Sequence, residues 1–148
     1  MSKKQVEYRR DSKISRGSSI SQSKIYVPSC VFSQELSSFE TIVKFLKENY
    51  DFGFEKIAQL LGKKKQSVWR AYKNAVSKLK QSFVVTNLYY PIPVDVIKDS
   101  KCSLLETLVV FLKEEYELSY SEVSALLMRD DRTVWTVYQR AKEKDGRV

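Results

Sequence analysis

Apolar residues recur at intervals of three and four in two well-separated stretches: Phe39, Ile42, Val43, Leu46 and Tyr50, then Leu105, Leu108, Val109, Leu112 and Tyr116. This spacing turns one side of a helix to a core and leaves the other to solvent. Each stretch opens on a serine followed three residues later by a glutamate, Ser37 with Glu40 and Ser103 with Glu106. The serine accepts a first-turn N–H and the glutamate reaches back, a capping box at each helix start. A shorter run follows in each, FEKIAQLL at 54–61 and YSEVSALL at 120–127, the latter with a further box in Ser119 and Glu122. A turn comes next, sharp at Gly62 and weaker at Met128. A third helix is expected from about Gln66 to Lys80 and from about Arg132 to Lys144, with Val68, Tyr72, Ala75, Val76 and Leu79 as the apolar stripe of the first.

The two stretches are near-copies. Residues 38–78 share 15 of 41 identities with the residues 66 positions later, including Glu40/Glu106, the Phe-Leu-Lys-Glu runs at 45–48 and 111–114, and Trp69/Trp135. Self-similarity at one fixed offset marks an internal duplication. The expected fold is mainly α, a tandem duplication of a three-helix unit with short extended segments before each unit. Residues 83–97, FVVTNLYYPIPVDVI, read as an extended linker, and Pro91 and Pro93 restrict any strand there to a sheet edge. The expected organisation is a basic tail at 1–24, disordered in isolation, a first unit at 25–82, the linker, and a second unit at 98–148. Trp69 and Trp135, each beside a valine of the inward stripe, read as core or inter-unit packing.

Composition narrows the chemistry. The net charge is +8, and its distribution is uneven: residues 1–27 carry seven Lys/Arg against two acids, 28–82 ten against five, and 83–148 nine against eleven. The positive field belongs to the tail and the first unit, which points to a polyanionic partner. There is no histidine, and Cys30 and Cys102 stand at non-equivalent positions as free thiols, so no zinc-ligand set or histidine relay is available. No metal, cofactor, catalytic residue or enzymatic activity is expected. No apolar run has membrane-spanning length and the N-terminus lacks a signal-peptide core, so the chain reads as soluble, cytoplasmic and without a membrane partner.

The segment FEKIAQLLGKKKQSVWRAYKNAVSKLK resembles a helix-turn-helix, in particular the C-terminal promoter-reading region (region 4) of sigma-70-type factors. On that resemblance Ile57, Leu61 and Val68 take the inward apolar positions, Ala58 the small residue where helices cross, and Gly62 the turn glycine. In the second copy Val123, Leu127 and Val134 fit, while Ser124 and Met128 depart from the alanine and the glycine. The lead-ins IYVPSCVF and YYPIPVDVI, with RDDRTVWTVYQRA, are also similar to small archaeal helix-turn-helix proteins. The resemblance covers roughly 28–82 and 91–146, and no polymerase-binding sigma region is expected besides it.

A helix N-terminus favours anions and disfavours lysines by about 0.3–1 kcal/mol each. Asp130 and Asp131 obey this at the second long helix, where one of them is expected to cap it. Lys63, Lys64 and Lys65 violate it at the first, where a phosphate would meet both ammonium groups and helix N–H groups. The resemblance implies that the long helix enters a major groove. On the outward face Gln66 and Arg70 suit base edges, with Ser67 and Lys73 beside them, and the lysines suit the backbone. The second copy offers Arg132, Thr136, Gln139 and Arg140, but its two aspartates would meet phosphates badly, and it reads as a protein-docking or stabilising unit ahead of an independent DNA reader. Double-stranded DNA is the first expected partner, with a nucleoid-associated role as transcription regulator or small chromatin-associated factor. A protein-interaction adaptor contacting the transcription machinery is the alternative, RNA binding ranks third, and the oligomeric state is open. If the tail adds affinity through its cations alone, deleting residues 1–24 weakens binding to all duplexes similarly and flattens the salt dependence, as measured by fluorescence anisotropy; loss of preference for one sequence with general affinity intact would make the tail a reader.

Overall fold

The computed structural model describes residues 25–98 and 100–144; the basic tail lies outside them. The fold is mainly α. In chain order the elements are β1 (Tyr26–Val27), a 3-10 turn (Ser29–Val31), α1 (Ser38–Asn49), α2 (Phe54–Leu61), α3 (Lys65–Lys78), β2 (Ile92–Pro93), α4 (Asp95–Lys98), α5 (Leu104–Glu115), α6 (Tyr120–Leu127) and α7 (Asp131–Lys144). Helices α5, α6 and α7 repeat the 12, 8 and 14 residues of α1, α2 and α3.

Local chemistry accounts for the helix ends. Ser37, Ser103 and Ser119 each accept from the amide of the glutamate three residues on, and that glutamate accepts from the serine's amide. Each such cap stabilises its helix by about 1 kcal/mol. The second helix of each unit stops at a residue in the left-handed region, Gly62 (φ 67°, ψ 37°) and Met128 (φ 59°, ψ 45°). The turn that is weak in sequence at Met128 therefore has the same backbone as the glycine turn, at the steric cost of a Cβ.

Within each unit the first and third helices are tied at equivalent places. Lys78 pairs with Glu40 at 2.9 Å and Lys144 with Glu106 at 2.8 Å. The Tyr72 hydroxyl donates to Glu48 at 3.0 Å and the Tyr138 hydroxyl to Glu114 at 2.6 Å. Burial, followed by the Glu48 carboxylate, pushes the Tyr72 phenol up from its ordinary value. Burial also acts to raise the Glu106 carboxyl, but the Lys144 ammonium, the Ser103 amide and the Arg140 charge outweigh it and hold the group below the usual glutamate range.

One core runs through both units, with Ile42, Val43, Leu46, Ile57, Leu61 and Val68 continuous with Leu108, Val109, Leu112, Val123, Leu127 and Val134. The lead-ins join them. β1 and β2 pair antiparallel, Tyr26 opposite Pro93 and Val27 opposite Ile92. Beyond them the lead-ins change partners: α4 packs on α2, and the Ser29–Val31 turn packs on α6. The linker ends in the helical turn α4, because the Ile97 amide closes on the Val94 carbonyl at 3.0 Å. Upstream, 83–91 has no regular element. Lys44, fully buried on α1, holds this crossing at its start: its ammonium donates to Glu48 (2.7 Å) and to the Gln81 carbonyl (2.9 Å), 4.8 Å from the Phe83 ring centre.

Gly62 is needed for a second reason, since an added Cβ would meet the Lys98 carbonyl oxygen at 3.1 Å. Gly62→Ala is expected to destabilise by about 1 kcal/mol or more, whereas Met128→Gly, at a side chain 45% exposed, is expected to stabilise by about 0.5–1 kcal/mol through relief of the left-handed strain. Urea denaturation of both variants checks this; a Met128→Gly protein that loses stability would show that the methionine's packing outweighs its backbone cost.

Candidate nucleic-acid interface

Helix α2 ends when the Gly62 and Lys63 amides both turn back to the Ala58 carbonyl, and two residues later α3 begins. Lys64 stands at the N-cap position with extended backbone (φ −78°, ψ 144°) and supplies no side-chain cap. The Ser67 and Val68 amides bond to its carbonyl, at 3.0 and 3.1 Å. Lys63, Lys64 and Lys65 all project into solvent. The nearest acid is Glu55, 4.0 Å from Lys65 with both side chains well exposed, a pair too screened to neutralise the cluster.

The inward stripe of α3 is Val68, Ala71 and Ala75, with Tyr72 half-buried. At about 100° per residue, this turns Gln66, Arg70 and Lys73 outward, and all three are exposed, as is Ser67. The seven residues singled out in the first unit thus share one exposed surface running from the turn along the first two turns of α3. Trp69 sits at its edge. It is 46% exposed, with the Lys73 ammonium 5.5 Å from its ring centre, and Trp135 is 51% exposed. The packing role expected for both tryptophans is overturned. A residue next to the centre of the inward stripe lies a quarter-turn away from it, and helical geometry alone carries that signal.

At α7 the corresponding groups are engaged inside the protein. Arg129, the counterpart of Lys63, donates to the carbonyls of Ser33 (2.9 Å), Leu36 (3.3 Å), Leu127 (3.2 Å) and Met128 (3.2 Å). Asp130 caps the helix by accepting from the Thr133 amide at 3.3 Å. Asp131 accepts from the Ser124 hydroxyl, so the polar group that replaces Ala58 at the helix crossing has its partner. Arg132 and Arg140 are exposed, while Thr136 and Gln139 are half-buried. Sequence reasoning missed Arg129, whose carbonyl partners 93 and 96 residues away no local pattern announces.

No protein-family model, curated protein or solved structure matches this chain. Among the described residues no helix is long and apolar enough to cross a membrane.

Hydrogen bonds from Thr133, its hydroxyl first and its amide second, hold the Asp130 carboxyl below the ordinary aspartate value, with the Arg132 charge adding to the effect. A depressed folded-state pKa stabilises fully above the unfolded value, near 3.8, and that contribution is lost as pH falls through the folded value. In carboxyl-carbon NMR titrations Asp130 is expected to titrate below an unperturbed aspartate, and Thr133→Ala to move it upward. An unchanged midpoint in Thr133→Ala would remove the hydroxyl from the cap.

Proposed function

We propose that the chain is a double-stranded DNA-binding protein, a transcription regulator or small chromatin-associated factor, that docks through the turn and first half of α3. One observation carries this reading: three solvent-projecting lysines crowd an uncapped helix N-terminus whose outward face continues with Gln66, Arg70 and Lys73. Phosphate oxygens are complementary to that end, since they would satisfy free helix N–H groups and oppose the lysine charges. Lys63, Lys64 and Lys65 would position the helix on the backbone, and Arg70 and Gln66, with Ser67 beside them, would face guanine and adenine edges. The likeness to sigma region 4 rests on the same helix-turn-helix segment. Arg132, Thr136, Gln139 and Arg140 form the lesser surface of α7.

The exposed Trp69 and Trp135 favour a second reading, an adaptor that anchors a protein of the transcription machinery on these rings. Salt separates the two. Phosphate contacts weaken steeply as salt rises, and tryptophan anchoring does not.

In the Lys64→Asp, Lys65→Asp protein, duplex DNA affinity at low salt is expected to fall at least about tenfold, and the salt slope to flatten by about 1.8 for two lost phosphate contacts. Thermal stability should hold or rise, because aspartates suit a helix N-terminus. A folded double variant that binds duplex DNA as tightly as the parent, by anisotropy at two salt concentrations, would take α3 out of the interface and leave the adaptor reading ahead.

A further inference from the structure

The strand pairing constrains how the two long helices are related. Tyr26 and Val27 stand 66 residues before Ile92 and Pro93, so each lead-in strand meets its own counterpart. They meet antiparallel, and the pairing is reciprocal: Tyr26 opposite the counterpart of Val27, and Val27 opposite the counterpart of Tyr26. A half-turn rotation between the strands produces this register, whereas a simple translation would set equivalent strands parallel. The same rotation carries the Ser29–Val31 turn on α6 into α4 on α2, and it brings α1 against its counterpart α5. It therefore also exchanges α3 with α7.

Granted the DNA-binding reading above, we infer that one chain acts as a two-fold pair and that its target is an inverted pair of unequal half-sites on one duplex, α3 in one and α7 in the other. A duplex has its own two-fold axes perpendicular to its length, so helices related by a shared axis meet sequence in inverted order. Direct repeats would need units related by translation. The α7 surface offers Arg132, Trp135 and Arg140, all exposed, to the second half-site, and the exposed carboxylates of Asp130 and Asp131 at its entrance make that half the weaker. The two halves must differ. Where α3 has Gln66, suited to adenine, α7 has Arg132, suited to guanine; where α3 has Arg70, α7 has Thr136, whose methyl suits thymine. Ser67 and Trp69 have close counterparts in Thr133 and Trp135, so the halves share an element beside these positions. The lysines make the α3 half the stronger.

The experiment is selection by the full chain from a random-sequence duplex library at low salt, followed by the stoichiometry of the enriched complex in sedimentation or native mass spectrometry. The expected result is an inverted pair at fixed spacing, one half more strongly specified, bound by a single chain. Arg70→Ala is expected to relax the stronger half and Arg132→Ala the weaker, each with about a tenfold loss on the paired site; both residues are exposed, and helical circular dichroism confirms that the variants fold. A direct repeat, a lone half-site, no enrichment, two chains on one inverted site, or indifference to Arg132→Ala would each overturn this inference while leaving DNA binding in place. Failure of the parent chain to bind any duplex at low salt would instead overturn the DNA reading itself.

Discussion

Each group of three helices leaves one side of its short second helix uncovered by its own lead-in, and the lead-in of the other group covers it: α4 packs on α2 and the Ser29–Val31 turn on α6. Everything else depends on this exchange. Val27, Val31, Ile92, Val94 and Ile97 are buried by it, which on transfer arithmetic amounts to on the order of 10 kcal/mol, as large as the whole net stability of an ordinary domain. The backbone approach at Gly62 and the Arg129 clamp on the Ser33 and Leu36 carbonyls fix the positions of the two lead-ins. The Tyr50 and Tyr116 hydroxyls bond to the carbonyls of Tyr26 (3.3 Å) and Pro91 (2.7 Å), and so anchor the strands to α1 and α5. A short helix held in this way gives the long helix after it a rigid support, which the proposed DNA docking would use.

The two long helices solve one electrostatic problem in opposite ways. At α7 the entrance is spent on stability: Asp130 caps, Asp131 satisfies Ser124, and Arg129 is drawn inward to carbonyls. At α3 no side chain caps, and three ammonium groups stand where the helix end itself is positive. The unit tolerates that repulsion because α3 is secured elsewhere, by Lys78 to Glu40 and by Tyr72 to Glu48. The buried Lys44 adds to the same region, since it draws Gln81 and Phe83 against α1 just beyond the end of α3. Its counterpart in the second unit is Val110, which has no ammonium group to offer. Local stability is given up at one helix end and offset by anchorage at the other, and the proposed phosphate docking rests on that uncapped end.

The sequence by itself determined α1–α3 and α5–α7 and their order, because capping boxes, 3.6-residue periodicity and the turn at Gly62 are local physics, whereas α4 lies in a stretch that reads as extended. Ser37, Ser103 and Ser119 needed only residues three positions away, and the exposed face of Gln66, Arg70 and Lys73 followed from Val68 by helical geometry. The same geometry, applied to the residue after Val68, would have put Trp69 and Trp135 at the surface; adjacency to an apolar stripe is no measure of burial on a helix. Tertiary structure alone decided the rest. That Met128 takes a glycine's backbone, that Arg129 turns inward while Lys63 does not, that Lys44 is buried, and that each lead-in serves the opposite unit all depend on partners tens of residues away. Strands of two residues carry too little pattern to declare their register, and the half-turn between the units exists only in how those strands meet.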